Sequence, residues 1–269
     1  MIHIITINWT SDKWIDIQSS SFKKYITSPY KVYTKLGNMG EDLYEKHKDK
    51  YYYCAKGEEG EISHVTTGMK LAINKIKENY SPEDIILIID SDAFLIDNLD
   101  KLSKHLQNFN FVSCQEPEHE RDPNRLIPHP MFFMFKGKML DEKLEYFLTH
   151  VKDDGTGTWW GGLINWMVLN KHEYYPVKRS NKINLHPLYF GLYENILYHH
   201  WAGSRKMITR PDRRLHAQTK EPLNSIAERN HLLSNKVYDQ IVNQKDLFIE
   251  YLKGEYNNTE YENKFNTTR

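Results

Sequence analysis

The chain has 269 residues, enough for one large α/β domain or two small ones, with a core that needs no disulfide or structural metal. Its 36 lysines and arginines balance 36 aspartates and glutamates, which argues against a dedicated nucleic-acid binder and leaves no polybasic membrane anchor. The two cysteines, Cys54 and Cys114, fall in no C-x-x-C or zinc-ligand spacing, so reduced thiols are expected and a disulfide framework is excluded.

Residues 2–7 are an almost continuous apolar run, the pattern of a strand buried on both faces of a parallel sheet. This start lacks the basic region and cleavage site of a signal peptide. No window approaches the roughly 18 apolar residues of a spanning helix, so no transmembrane segment and a cytoplasmic location are expected. Lysine- and asparagine-rich usage points to an AT-rich genome, bacterial or viral.

A weak helix is predicted over residues 14–25 and an alternating strand over 31–36, closed by the turn Gly37-Asn38-Met39-Gly40. Residues 41–61 are charged and aromatic and suggest no definite element. Residues 63–79 place Met69, Ala72, Ile73 and Ile76 on one helical stripe. After the break at Ser81-Pro82-Glu83-Asp84, residues 85–89 read IILII, a buried strand that ends on Asp90-Ser91-Asp92. Helix, turn, strand and then acids is the order of a doubly wound α/β fold, in which ligands collect beyond the carboxyl ends of the strands. Further on, helices are predicted over 99–109, 138–150 and 163–170, and strands over 111–114, 131–135, 174–177 and 195–198. A glycine-rich loop over 153–162 carries Trp159 and Trp160, and 227–253 reads as two amphipathic helices.

Asp90 and Asp92, at i and i+2 around Ser91, leave the strand end on the same side, so both carboxylates can face one hard divalent cation. Such an ion would bind a diphosphate and offset the charge that develops as a nucleotide leaves. The plain alternative is a pair of solvated acids capping the next helix.

The segment IILIIDSDAFLID resembles the metal-binding D-x-D (DXD) segment of GT-A-fold glycosyltransferases. About 110 residues after the first acid, His200-Trp201-Ala202-Gly203-Ser204-Arg205-Lys206 resembles the H-x-x-G-x-x-K of glycosyltransferase family eight, the glycogenin and bacterial galactosyltransferase group. The resemblance implies a Rossmann-like GT-A domain over residues 1–215, with a mixed, mostly parallel sheet flanked by helices. A short helical extension and polar tail would follow over 216–269. It further implies a metal-dependent hexosyltransferase that uses manganese or magnesium. The enzyme would move a sugar from a nucleoside-diphosphate sugar, a UDP-sugar by preference, to a hydroxyl acceptor such as a glycan. His200, or His199 if the register is off by one, would join Asp90 and Asp92 on the metal, Gly203 would let the backbone approach the diphosphate, and Lys206, with Arg205 beside it, would contact its oxygens. By fold analogy base and ribose would lie near Thr6, Asn8 and Trp9; on the helix before the D-x-D, Thr67 and Lys70 could reach ribose or phosphate, and Ser91 between the acids is a further donor-binding candidate.

On the acceptor side, Trp159 and Trp160 suggest sugar stacking, and Asp154, Asp153 and Glu194 are candidates for a base or for orienting a hydroxyl. Glycines stand at 161 and 162 where the family carries an acid or amide pair, and Met207-Ile208 replaces its Pro-Trp. A retaining outcome is favoured over an inverting one driven by Asp154. Two other readings compete. One is a non-catalytic relative that binds nucleotide-sugar or glycan. The other is a nucleotidyltransferase, whose glycine-rich basic fingerprint is missing from TINWTSDKW.

Overall fold

The computed structural model describes residues 1–57, 61–115, 128–149, 161–186, 189–201 and 220–265. The apolar run at the start forms β1 (Ile2–Trp9), which pairs in parallel with β2 (Tyr30–Gly37) on one side and β4 (Ile85–Ile89) on the other. Beyond β2 lies β3 (Tyr53–Gly57), also parallel. Beyond β4 lies β7 (Pro128–Lys136), which runs antiparallel to both β4 and β6 (Phe111–Gln115), and β8 (Tyr174–Val177) closes the row parallel to β6. The result is a seven-stranded sheet of order β3-β2-β1-β4-β7-β6-β8, mixed and mostly parallel. Helices flank it, an arrangement consistent with the expected GT-A fold.

Alternation along the strands divides the core. Ile4, Leu87 and Ile89 face α1 (Ile15–Tyr25) and its residue Phe22, whereas Ile5, Ile86 and Ile88 face α3 (Glu61–Lys77). The predicted stripe Met69, Ala72, Ile73 and Ile76 is the buried face of α3. Gly68 brings that helix close: a Cβ there would stand 2.7 Å from Ile7 Cδ1. The same face is covered by α5 (Glu142–Thr149) and α6 (Gly161–Leu169), through Leu144, Leu148, Leu163 and Trp166.

A second, three-stranded antiparallel sheet, β5 (Ala93–Leu95), β10 (Leu197–His199) and β9 (Gly191–Tyr193), grows from the D-x-D turn. Its Phe94, Leu192 and Tyr198 pack with the C-terminal helix α7 (Leu223–Lys253) and the short α8 (Thr259–Asn263). Helix α7 breaks at Gln244 (φ −146°), giving the two predicted helical pieces, and ends on the left-handed Gly254. It is tied to the rest of the chain by Tyr238, whose hydroxyl donates to the Lys13 carbonyl at 3.1 Å. No described helix is long and apolar enough to cross a membrane.

Three expectations are revised. The segment over 41–61 holds α2 (Glu41–His47) as well as β3. The helix expected over 99–109 shortens to α4 (Asp100–Ser103) and a following 3-10 turn, Lys104–Gln107. The last strand begins at Leu197, not at residue 195, because Glu194 (φ +48°) and Asn195 (φ +55°) form a left-handed turn out of β9.

Candidate metal and nucleotide site

Strand β4 delivers Asp90 and Asp92 to the carboxyl edge of the sheet. The turn between them is fixed by its backbone: Asp90 N–H donates to Met131 O (2.9 Å), and Ala93 N–H donates back to Asp90 O (3.1 Å). Asp90 is exposed, with 49% of its side chain open, while Asp92 and Ser91 are buried. Opposite them stands His199, because β10 pairs with β5 so that His199 lies across from Ala93. His199 Nε2 is 3.2 Å from Asp92 Oδ1 and 3.5 Å from Asp90 Oδ2.

The histidine beside the acids is therefore His199 and not His200. The reason is the two-residue period of a strand: successive side chains leave on opposite faces, so a shift of one exchanges them. Starting β10 at Leu197 points His199 at the acids and turns Tyr198 and His200 toward α7. His200 is fully buried, between the Tyr198 hydroxyl (2.9 Å from Nδ1) and Ser234 Oγ of α7 (2.8 Å from Nε2). Burial pushes its pKa down to about 3, so at neutral pH it is an uncharged link with both ring nitrogens engaged. Its main chain still serves the site, since His200 N–H donates to Asp92 O at 3.1 Å.

Asp90, Asp92 and His199 each offer a ligand atom, and these atoms lie within 4.8 Å of one another. Metal–oxygen bonds of about 2.1–2.5 Å separate opposite ligands by roughly 4–5 Å, so one cation can bridge the group. Two carboxylates with one imidazole suit manganese or magnesium better than a soft ion. Beside His199 stand two further rings, His129 and Trp201, with Trp201 4.9 Å from His129 and 5.2 Å from His199 between centroids. Burial, together with the nearby His199, pushes His129 down to about 3. Trp201 holds a left-handed backbone (φ +68°), an uncommon conformation for a bulky residue.

Of the other expected donor-site residues, Thr6, Asn8 and Trp9 sit at the carboxyl end of β1, and only Asn8 has its side-chain polar group engaged. Asn8, buried at the end of β1, donates through Nδ2 to Thr34 Oγ1 (3.0 Å), and its carbonyl accepts from His64 Nε2 (3.0 Å). Thr6 Oγ1 and Trp9 Nε1 are buried with no hydrogen-bond partner among the described residues. Lys70 is exposed on α3. Glu194 is set apart, in the turn between β9 and β10 at the far end of that hairpin from His199, where its carboxylate accepts from Tyr175 OH (2.9 Å). Gly162 has a packing role, for a Cβ there would crowd the Phe147 ring at 3.1 Å. Asp153, Asp154, Trp159, Trp160, Gly203, Arg205 and Lys206 lie outside the described residues.

Sequence reading passed over Gln18, His129 and Trp201 as site residues. Gln18 had a signal: it interrupts the apolar stripe of α1 between Ile15 and Phe22. Its Nε2 donates to the carbonyls of Asp90 (2.8 Å) and Ala93 (2.7 Å).

No family model matches the chain, and a comparison with curated proteins finds no match. Among solved structures it is similar to a protein of Desulfovibrio desulfuricans assigned as a nucleotide-diphospho-sugar transferase. Identity is 12%, covering 66% of this chain and 79% of that one, with a TM-score of 0.44. It is also similar to a mannosyltransferase of Pyrobaculum calidifontis solved with GDP-Man and Mn2+. There identity is 15% over 65% of this chain, the chain spans about half of that protein (54%), and the TM-score is 0.46. A nucleoside-diphosphate-sugar pyrophosphorylase of Vibrio cholerae matches at 13% identity, with 66% and 93% coverage and a TM-score of 0.43.

Proposed function

We propose that this protein is a metal-dependent glycosyltransferase that takes a sugar from a nucleoside-diphosphate sugar, a UDP-sugar by preference, and passes it to a hydroxyl acceptor such as a glycan. The observation that carries this reading is the convergence of Asp90, Asp92 and His199 at the carboxyl end of β4. They would hold manganese or magnesium, and that ion, when bound, offsets charge on the departing diphosphate. The edge formed by Thr6, Asn8 and Trp9 would receive base and ribose, with Gly203, Arg205 and Lys206 on the diphosphate. Trp159 and Trp160 would contact sugar, with Asp153 or Asp154 as the group that activates or orients the acceptor.

Membership of glycosyltransferase family eight, with its retaining outcome, is the finer form of the proposal. Its H-x-x-G-x-x-K spacing runs from His200, whereas the imidazole facing the acids belongs to His199, so the spacing to Gly203 is one residue longer.

The test is calorimetric titration of UDP with and without manganese, on wild type and on Asp92→Ala. Micromolar binding that needs both the ion and Asp92 supports the donor site. Release or transfer of sugar from a panel of nucleotide-sugars then separates an enzyme from a relative that only binds. Absence of metal-linked UDP or GDP binding overturns the reading and returns the acids to a structural role.

A further inference from the structure

Helix α1 buries Ile15, Gln18, Ser21 and Phe22 on one stripe, and two of these four are polar. A buried amide costs stability unless its hydrogen bonds are made, so its partners show what it is for. Gln18 is 3% exposed, and its single amide nitrogen reaches two carbonyls, Asp90 O at 2.8 Å and Ala93 O at 2.7 Å. A primary amide has two N–H donors, so both are spent on this turn. One helical turn on, Ser21 Oγ donates to Gln18 O (2.8 Å) and accepts from Leu95 N–H (3.3 Å). Helix α1 thus grips the segment from Asp90 to Leu95 at three points, and the two Gln18 contacts bracket Ser91 and Asp92.

We infer that Gln18 is a positioning residue for the divalent-cation site proposed above, and the inference rests on that reading. Gln18 touches neither carboxylate. It fixes the backbone from which both spring, so their oxygens are already converged before the ion arrives. Without the two N–H donors, the carbonyls of Asp90 and Ala93 would seek other partners and the turn would rearrange. Ion binding would then have to order it, which weakens affinity. A helix-borne clamp is also more exact than a loop-borne one, since the α1 backbone is held by its own hydrogen bonds and by Phe22 in the core.

The experiment measures manganese affinity of the full chain by the paramagnetic resonance signal of the free ion, on wild type, Gln18→Met and Gln18→Asn. The first variant keeps the volume and removes both donors; the second keeps the donors and removes the reach. Each is checked for cooperative unfolding in chelator, so that a folding defect is seen separately. The expected result is a folded variant whose manganese Kd rises at least tenfold, with UDP binding at saturating manganese restored to within a few-fold of wild type. A folded variant whose manganese Kd stays within twofold of wild type overturns the inference and leaves Gln18 as packing. A wild type that binds no manganese fails the parent reading and takes this one with it.

Discussion

His199 Nε2 lies 3.2 Å from Asp92 Oδ1, while the adjacent His200 sits on the opposite face of β10 with its ring bonded to Tyr198 and Ser234. Two neighbouring histidines therefore have different work, and single substitutions can tell them apart. His199→Ala is expected to abolish manganese-linked UDP binding. Loss of groups that merely support a ligand costs roughly 10–100-fold in affinity, so loss of the ligand itself is expected to exceed about 100-fold. His200→Gln is expected to keep most of that binding. Equal losses in the two variants, measured by calorimetry, would falsify the assignment.

Acid should unfold the protein through histidines that the fold holds uncharged, His200 buried and His129 half-buried. His200 and His129 are both pushed down to about 3, against about 6.5 in an unfolded chain. Between those values the unfolded state binds more protons, so stability is complete above about pH 6.5 and is lost as pH falls toward 3. Each group contributes about 2 kcal/mol of loss between pH 7.5 and 5. Urea unfolding in chelator should show this slope. His200→Gln, which still accepts from Tyr198 and donates to Ser234, should be flatter by about 2 kcal/mol over the interval.

Gly37→Ala should be costly although the position lies inside a strand. A Cβ there would fall within the His64 ring, which covers the Gly37 backbone and bonds the Asn8 carbonyl through Nε2. Overpacking of this kind costs typically about 1–3 kcal/mol, and displacing His64 would also strand a buried carbonyl. The expected outcomes are a lower midpoint in urea and weakened UDP binding. Unchanged stability would mean that His64 has room to move.

Ser234→Ala removes the hydrogen-bond partner of His200 Nε2 in a buried setting and should cost about 1–3 kcal/mol. The substitution lies on α7, far along the chain from the acids, yet His200 N–H holds Asp92 O. A modest rise in manganese Kd is therefore expected alongside the loss of stability. An unchanged Kd would mean that the C-terminal helix supports the fold and not the site.

Much of this was readable in advance where local pattern and tertiary demand agree. The IILII run had to be a central strand, being apolar on both faces, and its abrupt end put the two acids at the carboxyl edge of the sheet. The α3 stripe was equally plain. What escaped were short elements that exist only through distant partners: β5 and β9 have three residues each and gain strand character by pairing with β10. The choice between His199 and His200 turned on where β10 starts, which is set by two left-handed residues, Glu194 and Asn195, neither of them glycine. Nothing in residues 195–200 read alone reveals which parity faces inward. The acceptor half rested on Trp159, Trp160, Asp153 and Asp154, which lie outside the described residues.

The candidate ligands Asp90, Asp92 and His199 come from two segments far apart in the chain, one leaving β4 and the other ending β10. The group is therefore completed by folding, for in the unfolded chain the imidazole of His199 is far from the two neighbouring carboxylates. Whatever free energy the ion gains on binding is then added to the folded state, about 2.7 kcal/mol at a concentration one hundred times its Kd. Heat resistance becomes a gauge of occupancy that needs no knowledge of the sugar or the acceptor. Melting curves across a series of divalent ions would rank their affinities for the group, and further stabilisation by one nucleotide diphosphate over another would disclose the base that the pocket prefers.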